Sequence, residues 1–237
     1  MLDLQSMLML TALAGLAMPL GALLAKFERL QSDWLETELR HGIIAFAAGA
    51  LLSAIALVLV PEGIKHLTAF WACTTFIAGG LGFMLVDAAL AKWNTPGSQL
   101  AAMLADFIPE SLALGALFSI AGSNAVLLAL LIGLQNLPEG FNAYREMMDK
   151  GHFAANKLIV LFVALASLGP ISGFIGYYWL AQQPQLLSGI MLFAAGGIMY
   201  SIFQDIAPNV PLKQHRFPPM WAVLGFVLGL LGHMLNT

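Results

Sequence analysis

Long apolar stretches, separated by short polar or turn-forming segments, follow one another along almost the whole chain. A helix needs roughly 20 mostly apolar residues to cross the hydrocarbon core of a membrane, and the pattern predicts eight such helices. Their predicted bounds are 5–26, 41–61, 67–91, 98–122, 125–147, 157–181, 186–207 and 217–236. Because no soluble domain fits between them, we predict a single all-α transmembrane domain over residues 1–237.

The composition supports a membrane protein and excludes several other classes. Hydrophobic residues make up 59% of the 237 residues and charged residues 10%, whereas soluble domains have about 45–50% and about 25%. Cys73 is the single cysteine, which excludes a disulfide scaffold. With 10 Lys+Arg against 13 Asp+Glu there is no basic stripe, and we expect no nucleic-acid partner. Residues 1–25 contain no Lys or Arg, so we expect a first membrane span rather than a signal peptide.

The basic residues predict how the chain is oriented. All but Lys65 fall in the loops that follow predicted spans 1, 3, 5 and 7 or at the ends of the spans that lead into these loops, and Lys and Arg are enriched on the cytoplasmic side. These loop residues are Lys26, Arg29, Arg40, Lys92, Arg145, Lys150, Lys157, Lys213 and Arg216. We therefore expect both termini outside a plasma membrane, the inner membrane in a bacterium, with lipid as the surrounding partner.

Two predicted spans share an internal repeat. The sequence FAAG begins at Phe46 in span 2 and at Phe193 in span 7, and a proline follows fifteen positions later in both, at Pro61 and Pro208. The predicted orientation places the two copies in opposite directions, as in inverted-repeat transporters. The alternative is a chance recurrence of small residues, which are common where membrane helices pack. The repeat predicts a 3+2+3 architecture, with repeats over about 1–91 and 157–237 around central helices 4 and 5 over about 98–147.

The two central helices carry related polar motifs. DFIPES begins at Asp106 and QNLPEG begins at Gln135, so each helix has a polar residue four positions before a Pro-Glu glutamate, Glu110 or Glu139. Positions i and i+4 of a helix lie on one face. Each proline also lacks an N–H and should kink its helix, which leaves a backbone carbonyl free.

Carboxylates within a membrane need partners, and no Lys or Arg lies near them in these two helices. An unpaired buried carboxylate takes up a proton or binds a cation, and two carboxylate pairs with an amide suit a divalent cation. The alternative is a structural role, in which Glu110 and Glu139 are neutral acids hydrogen-bonded inside the bundle.

With these motifs the chain resembles the ZIP (Zrt-, Irt-like) family of divalent metal transporters over nearly its whole length. The resemblance rests on the eight spans, the FAAGALLSA of span 2, the two Pro-Glu motifs and the glycine-rich span 7. It implies a metal site between helices 4 and 5, with zinc, iron or a related ion as the substrate. By position, the implied ligands are Asp106, Glu110, Gln135 and Glu139, with Asn136 beside them.

The chain departs from the family pattern at several of these positions. Asp106 and Gln135 replace the family histidines, Phe107 replaces a polar residue, and Ser111 replaces the glycine after the first Pro-Glu. No carboxylate stands near Gly169, where helix 6 of the family carries a glutamate. We therefore expect one metal rather than two, and a preference shifted from zinc toward Mn²⁺, Fe²⁺ or Mg²⁺.

The sequence thus predicts a transporter of a divalent metal cation, not an enzyme, with no resident cofactor. A homodimer is an expectation from family analogy alone. The alternatives are a ZIP-like protein that binds metal without transporting it, a transporter of a different ion, and an intramembrane enzyme that uses Asp106 and Glu110. Glu62, Gln204 and Asp205 lie at span ends, where they are either ligands at the mouths of the pathway or solvated helix ends.

Overall fold

A computed structural model of the chain describes residues 4–27, 40–93, 98–120, 124–151, 153–210 and 217–236. These residues form α-helices joined by short connections, and no strand occurs among them. The α-helices are α1 (Leu4–Phe27), α2 (Arg40–Ala54), α3 (Val60–Gly63), α4 (Ala69–Trp93), α5 (Ser98–Ser119), α6 (Ala125–Lys150), α7 (Ala155–Ala166), α8 (Leu168–Tyr178), α9 (Pro184–Ser201) and α10 (Pro218–Asn236). Of the loop cations, Arg29, Lys213 and Arg216 lie outside the described residues.

Each of the eight apolar stretches forms helix over most of its described residues, which confirms the all-α class. Within the described residues, 6 helices are long and apolar enough to cross a membrane. They are Leu4–Phe27, His41–Gly63, Ala69–Leu90, Ala155–Gln182, Pro184–Gln204 and Pro218–Leu235. The length and composition of these helices therefore indicate a multi-pass membrane protein. That α5 and α6 also cross the membrane stays a prediction.

Both FAAG segments change from α-helix to π-helix at the same place. The first becomes π-helical at Ile55–Leu59 and the second at Ile202–Ile206, each nine residues after its phenylalanine. The backbone N–H just before each proline donates to a carbonyl five residues back. Because the following proline has no N–H, the α-helical ladder fails at this point, and a wider turn pairs the neighbouring groups instead. The hydropathy pattern did not predict these π-helical segments.

Four helix pairs cross with the same pattern of close contact: α1 with α6, α5 with α8, α2 with α10, and α4 with α9. At each crossing, both helices contribute one glycine. Each glycine lies against a backbone carbonyl oxygen of the other helix, which belongs to the residue three positions before that helix's own glycine. The glycines and their carbonyl partners are Gly21 with Leu137, Gly140 with Met18, Gly176 with Leu112, Gly115 with Gly173, Gly49 with Ala222, Gly225 with Phe46, Gly79 with Phe193, and Gly196 with Phe76. A methyl group at any of these glycines would overlap the carbonyl, so small residues allow these backbones to approach.

The matching crossings define which positions of the central helices are equivalent. The crossing of α6 with α1 repeats that of α5 with α8, which pairs Leu137 with Leu112 and Gly140 with Gly115. Glu110 lies two positions before Leu112 on α5, and Gln135 lies two positions before Leu137 on α6. The same correspondence therefore pairs Glu110 with Gln135. This register differs by four residues from the one that aligns the two Pro-Glu motifs.

The helices form two packed groups. In one group α1 packs along α6, α5 packs along α8, and α1 also contacts α7 and α8. In the other group α2 packs along α10, and α9 packs on α4 and α3. Contacts of α2 with α6 and of α5 with α9 join the groups. Each group takes helices from both predicted repeats, so the repeats interleave, and the Pro-Glu motifs are enclosed on several sides.

Candidate metal centre

Glu110 of α5 and Gln135 of α6 meet at the interface of the two central helices. The side-chain amide Nε2 of Gln135 donates a hydrogen bond of 2.6 Å to Glu110 Oε2. Glu110 is fully buried, and Gln135 has 1% of its surface exposed. Gln135 thus supplies a neutral donor to a carboxylate that water does not reach.

Three oxygen atoms at this interface have no hydrogen-bond partner among the described residues. They are Glu110 Oε1, Gln135 Oε1 and Glu139 Oε2, and all three are buried. Glu139 lies one helical turn after Gln135, and its carboxylate is close enough to Glu110 for their charges to repel each other. Two carboxylates and an amide with free oxygen lone pairs make a favourable environment for a divalent cation.

Asp106 lies one turn before Glu110 on α5 and is buried with 6% of its surface exposed. Within the described part of the chain, no three His, Cys, Asp or Glu side chains come close enough together to hold one ion. Asp106, Glu110 and Glu139 therefore do not form a three-carboxylate cluster in this conformation. A site here depends on the Gln135 amide beside the two glutamates.

Asn136, the remaining implied ligand, faces a different helix. Its Nδ2 donates a hydrogen bond of 3.0 Å to the carbonyl oxygen of Ala14 in α1, while its Oδ1 is buried without a partner among the described residues. Ser111, next to Glu110, is also buried, and its Oγ likewise has no such partner. The sequence indicated Ser111 only as a departure from the family glycine, because a single hydroxyl leaves no pattern.

The prolines of the motifs do not interrupt their helices. Pro109 lies inside α5 and Pro138 inside α6, and both helices continue through them. Each proline still leaves the carbonyl four residues earlier without its helical donor. The predicted kinks at these two prolines stay predictions. A helix does end near another proline, Pro170, where α7 ends at Ala166 and α8 begins at Leu168.

Of the polar residues at the span ends, Glu62 has partners and Gln204 is exposed. Glu62 Oε2 forms an ion pair of 2.7 Å with Lys65, and Glu62 Oε1 accepts a hydrogen bond of 3.3 Å from Asn124. This pairing balances the Glu62 charge and gives the residue a structural role in this conformation. Gln204 is exposed, and the side chain of Asp205 lies outside the described residues.

No protein-family profile matches this sequence, and no curated protein is significantly similar to it. The likeness to the ZIP family therefore rests on the motifs in the sequence. The function of this site has to be argued from its own geometry.

Proposed function

We propose that the chain is a membrane transporter for a divalent metal cation, which binds between α5 and α6. The observation that carries this proposal is the set of three buried, unpartnered oxygens of Glu110, Gln135 and Glu139. Ionisable residues in membrane helices are costly and generally functional. Asp106 lies one turn before Glu110 on α5, and Asn136 lies one residue after Gln135 on α6. Both can join this set of oxygens if the helices shift.

The proposed substrate is a cation that prefers oxygen ligands. No histidine or cysteine belongs to the proposed ligand set, and carboxylate and amide oxygens suit Mn²⁺, Mg²⁺ and Fe²⁺ better than the softer ions. Zn²⁺ also binds carboxylates, and it belongs in any comparison of ions.

The proposed architecture has eight spans arranged as 3+2+3, with both termini outside the plasma membrane. Two features support it. The α-to-π transition occurs at the same position after Phe46 and after Phe193. The glycine crossings also match in pairs between the helices of the two proposed repeats. Inverted repeats of this kind allow a protein to open alternately to either side of a membrane.

The proposed mechanism is alternating access around Glu110, Gln135 and Glu139. A divalent ion that arrives at the two carboxylates replaces their protons, so uptake should depend on pH. The Gln135 amide holds Glu110 in place while the site is empty, and its Oε1 is available to the ion.

The test is metal-dependent flux in proteoliposomes that contain the purified chain. Glu110→Gln and Glu139→Gln should each abolish flux, because each removes a negative charge from the ligand set. Glu62→Gln is the matched control, since Glu62 is paired with Lys65 away from this set. Unchanged flux in both site variants would reject the site, and metal binding without flux in the wild type would favour a non-transporting metal-binding protein.

A further inference from the structure

The two central helices are tied to their neighbours unequally. Asn136 of α6 donates a hydrogen bond to the Ala14 carbonyl of α1. Ser111 occupies the equivalent position on α5, one residue after Glu110 as Asn136 is one residue after Gln135. The Ser111 hydroxyl is buried and has no partner among the described residues.

The matching crossings also identify the group that Ser111 would bind. The crossings pair Met18 of α1 with Gly173 of α8, and one turn earlier the same correspondence pairs Ala14 with Gly169. The equivalent of the bond from Asn136 to the Ala14 carbonyl is therefore a bond from Ser111 Oγ to the Gly169 carbonyl.

Ser111 lies on the face of α5 that packs against α8. Gly115, one turn after Ser111, contacts the Gly173 carbonyl, and the ring of Phe107, one turn before it, lies 2.7 Å from where a Cβ on Gly169 would be. Residues four apart on a helix share a face. The Gly169 carbonyl also has a second lone pair, which can accept a side-chain donor.

Three other hydroxyls in the helices of this chain are bonded within their own helix. Thr11 donates to the Met7 carbonyl at 2.9 Å, Ser53 to the Ala50 carbonyl at 2.6 Å, and Thr74 to the Phe70 carbonyl at 2.8 Å. Such a bond satisfies a buried hydroxyl locally. Ser111 makes none, so its hydroxyl is available to a neighbouring helix.

We infer that Asn136 and Ser111 are alternative tethers, each used in one of two conformations. In this conformation Asn136 ties α6 to α1, and in the opposite-facing conformation that bond breaks while Ser111 ties α5 to α8. The inference rests on the proposed transport function, because inverted repeats exchange their conformations when the protein opens to the other side. Both are positioning residues, and their effect is on the balance between the two states.

The test measures the populations of the two conformations in the absence of metal, by double electron–electron resonance between two nitroxide labels. The labels replace Leu24 of α1 and Val86 of α4, which are exposed, in a Cys73→Ser background. Asn136→Ala should lower the population that has the distance of this conformation, and Ser111→Ala should raise it. One hydrogen bond changes such a ratio by about two- to tenfold. Ser53→Ala, which removes a buried hydroxyl bonded within its own helix, should change nothing.

A double exchange, Ser111→Asn with Asn136→Ser, keeps a polar side chain at both positions and should reverse the preference. Shifts in the same direction for Asn136→Ala and Ser111→Ala, or a single distance in every variant, would overturn the inference. Flux of the unmodified chain is measured separately. If the chain transports metal but the two variants do not shift the populations in opposite directions, the tethers are rejected and transport is retained. If two conformations are present and the variants shift them in opposite directions but there is no flux, transport is rejected and the tethers are retained.

Discussion

Gln135 donates a 2.6 Å hydrogen bond to Glu110, and the two residues occupy equivalent positions on α6 and α5. In the proposed inverted-repeat arrangement, a bond between equivalent positions lies where the two halves meet. In the proposed alternating-access mechanism, an ion bound there keeps the same relation to both proposed repeats when they exchange conformations. The proposal gives Gln135 two roles, since its Nε2 donates to the Glu110 carboxylate and its Oε1 is buried without a partner among the described residues.

Replacing Gln135 with leucine should destabilise the protein. Glu110 is fully buried and would lose its amide donor, and an unsatisfied buried polar group costs about 1–3 kcal/mol. Thermal unfolding in detergent, followed by tryptophan fluorescence, measures the loss. Gln182→Leu is the control, because the Gln182 side chain is exposed and its Nε2 donates to the nearby Tyr178 carbonyl. Equal losses in the two variants would contradict a special role for the bond.

Metal ions should stabilise the folded chain through the two glutamates. A ligand that binds only the folded state adds about 2.7 kcal/mol at a concentration 100 times its Kd. Mn²⁺ should therefore raise the unfolding temperature of the wild type and of Glu62→Gln. Glu110→Gln and Glu139→Gln should lose most of this increase, because each removes one carboxylate charge from the site. An increase that persists in both would place metal binding elsewhere.

The fold could be predicted from hydropathy to the level of its helices. An apolar stretch that crosses a membrane favours a helix, because a helix satisfies the backbone hydrogen bonds within the segment. Each predicted stretch forms helix here. Hydropathy carries no information on hydrogen bonding near a proline. It therefore missed the π-helical segments before Pro61 and Pro208 and the break between α7 and α8 near Pro170.

The sequence indicated candidate ligands but not the register of the two helices that carry them, and the assignment of these residues as metal ligands stays a prediction. The Pro-Glu motifs indicated that Glu110 and Glu139 lie near each other, and the structure places the two carboxylates close enough for like-charge repulsion. Aligning those motifs pairs Glu110 with Glu139, whereas the glycine crossings pair it with Gln135. Register between helices is set by where the backbones touch, and that depends on contacts between helices that are distant in the sequence.

An imidazole at position 135 should change the ion preference. Gln135→His places a nitrogen ligand beside two carboxylates, and imidazole favours Zn²⁺ relative to Mn²⁺ and Mg²⁺. We expect the ratio of Zn²⁺ to Mn²⁺ affinities to rise by about tenfold, measured by titration calorimetry. Gln182→His, which puts the same group on an exposed surface, should leave the ratio unchanged. A similar rise in that control would indicate binding to the added histidine alone.

Metal binding should release protons, and the apparent affinity should fall as the pH is lowered. Protons and the metal compete for the same carboxylate oxygens of Glu110 and Glu139. Calorimetry in two buffers with different enthalpies of ionisation counts the released protons. The number should be smaller in Glu139→Gln than in the wild type. A binding enthalpy that is independent of the buffer would show that the site binds metal without losing protons.

Gly79 and Gly80 are neighbours on α4, and alanine should have different effects at the two positions. A Cβ at position 79 would overlap the carbonyl of Phe193, whereas one at position 80 would lie 3.5 Å from the carbonyl oxygen of Gly196, an ordinary contact. Overpacking costs about 1–3 kcal/mol, so Gly79→Ala should lower the unfolding temperature and Gly80→Ala should barely change it. Gly225 contacts the Phe46 carbonyl at the equivalent crossing, so Gly225→Ala should resemble Gly79→Ala. If Gly80→Ala were as harmful as Gly79→Ala, or Gly225→Ala were harmless, the two crossings would not be equivalent.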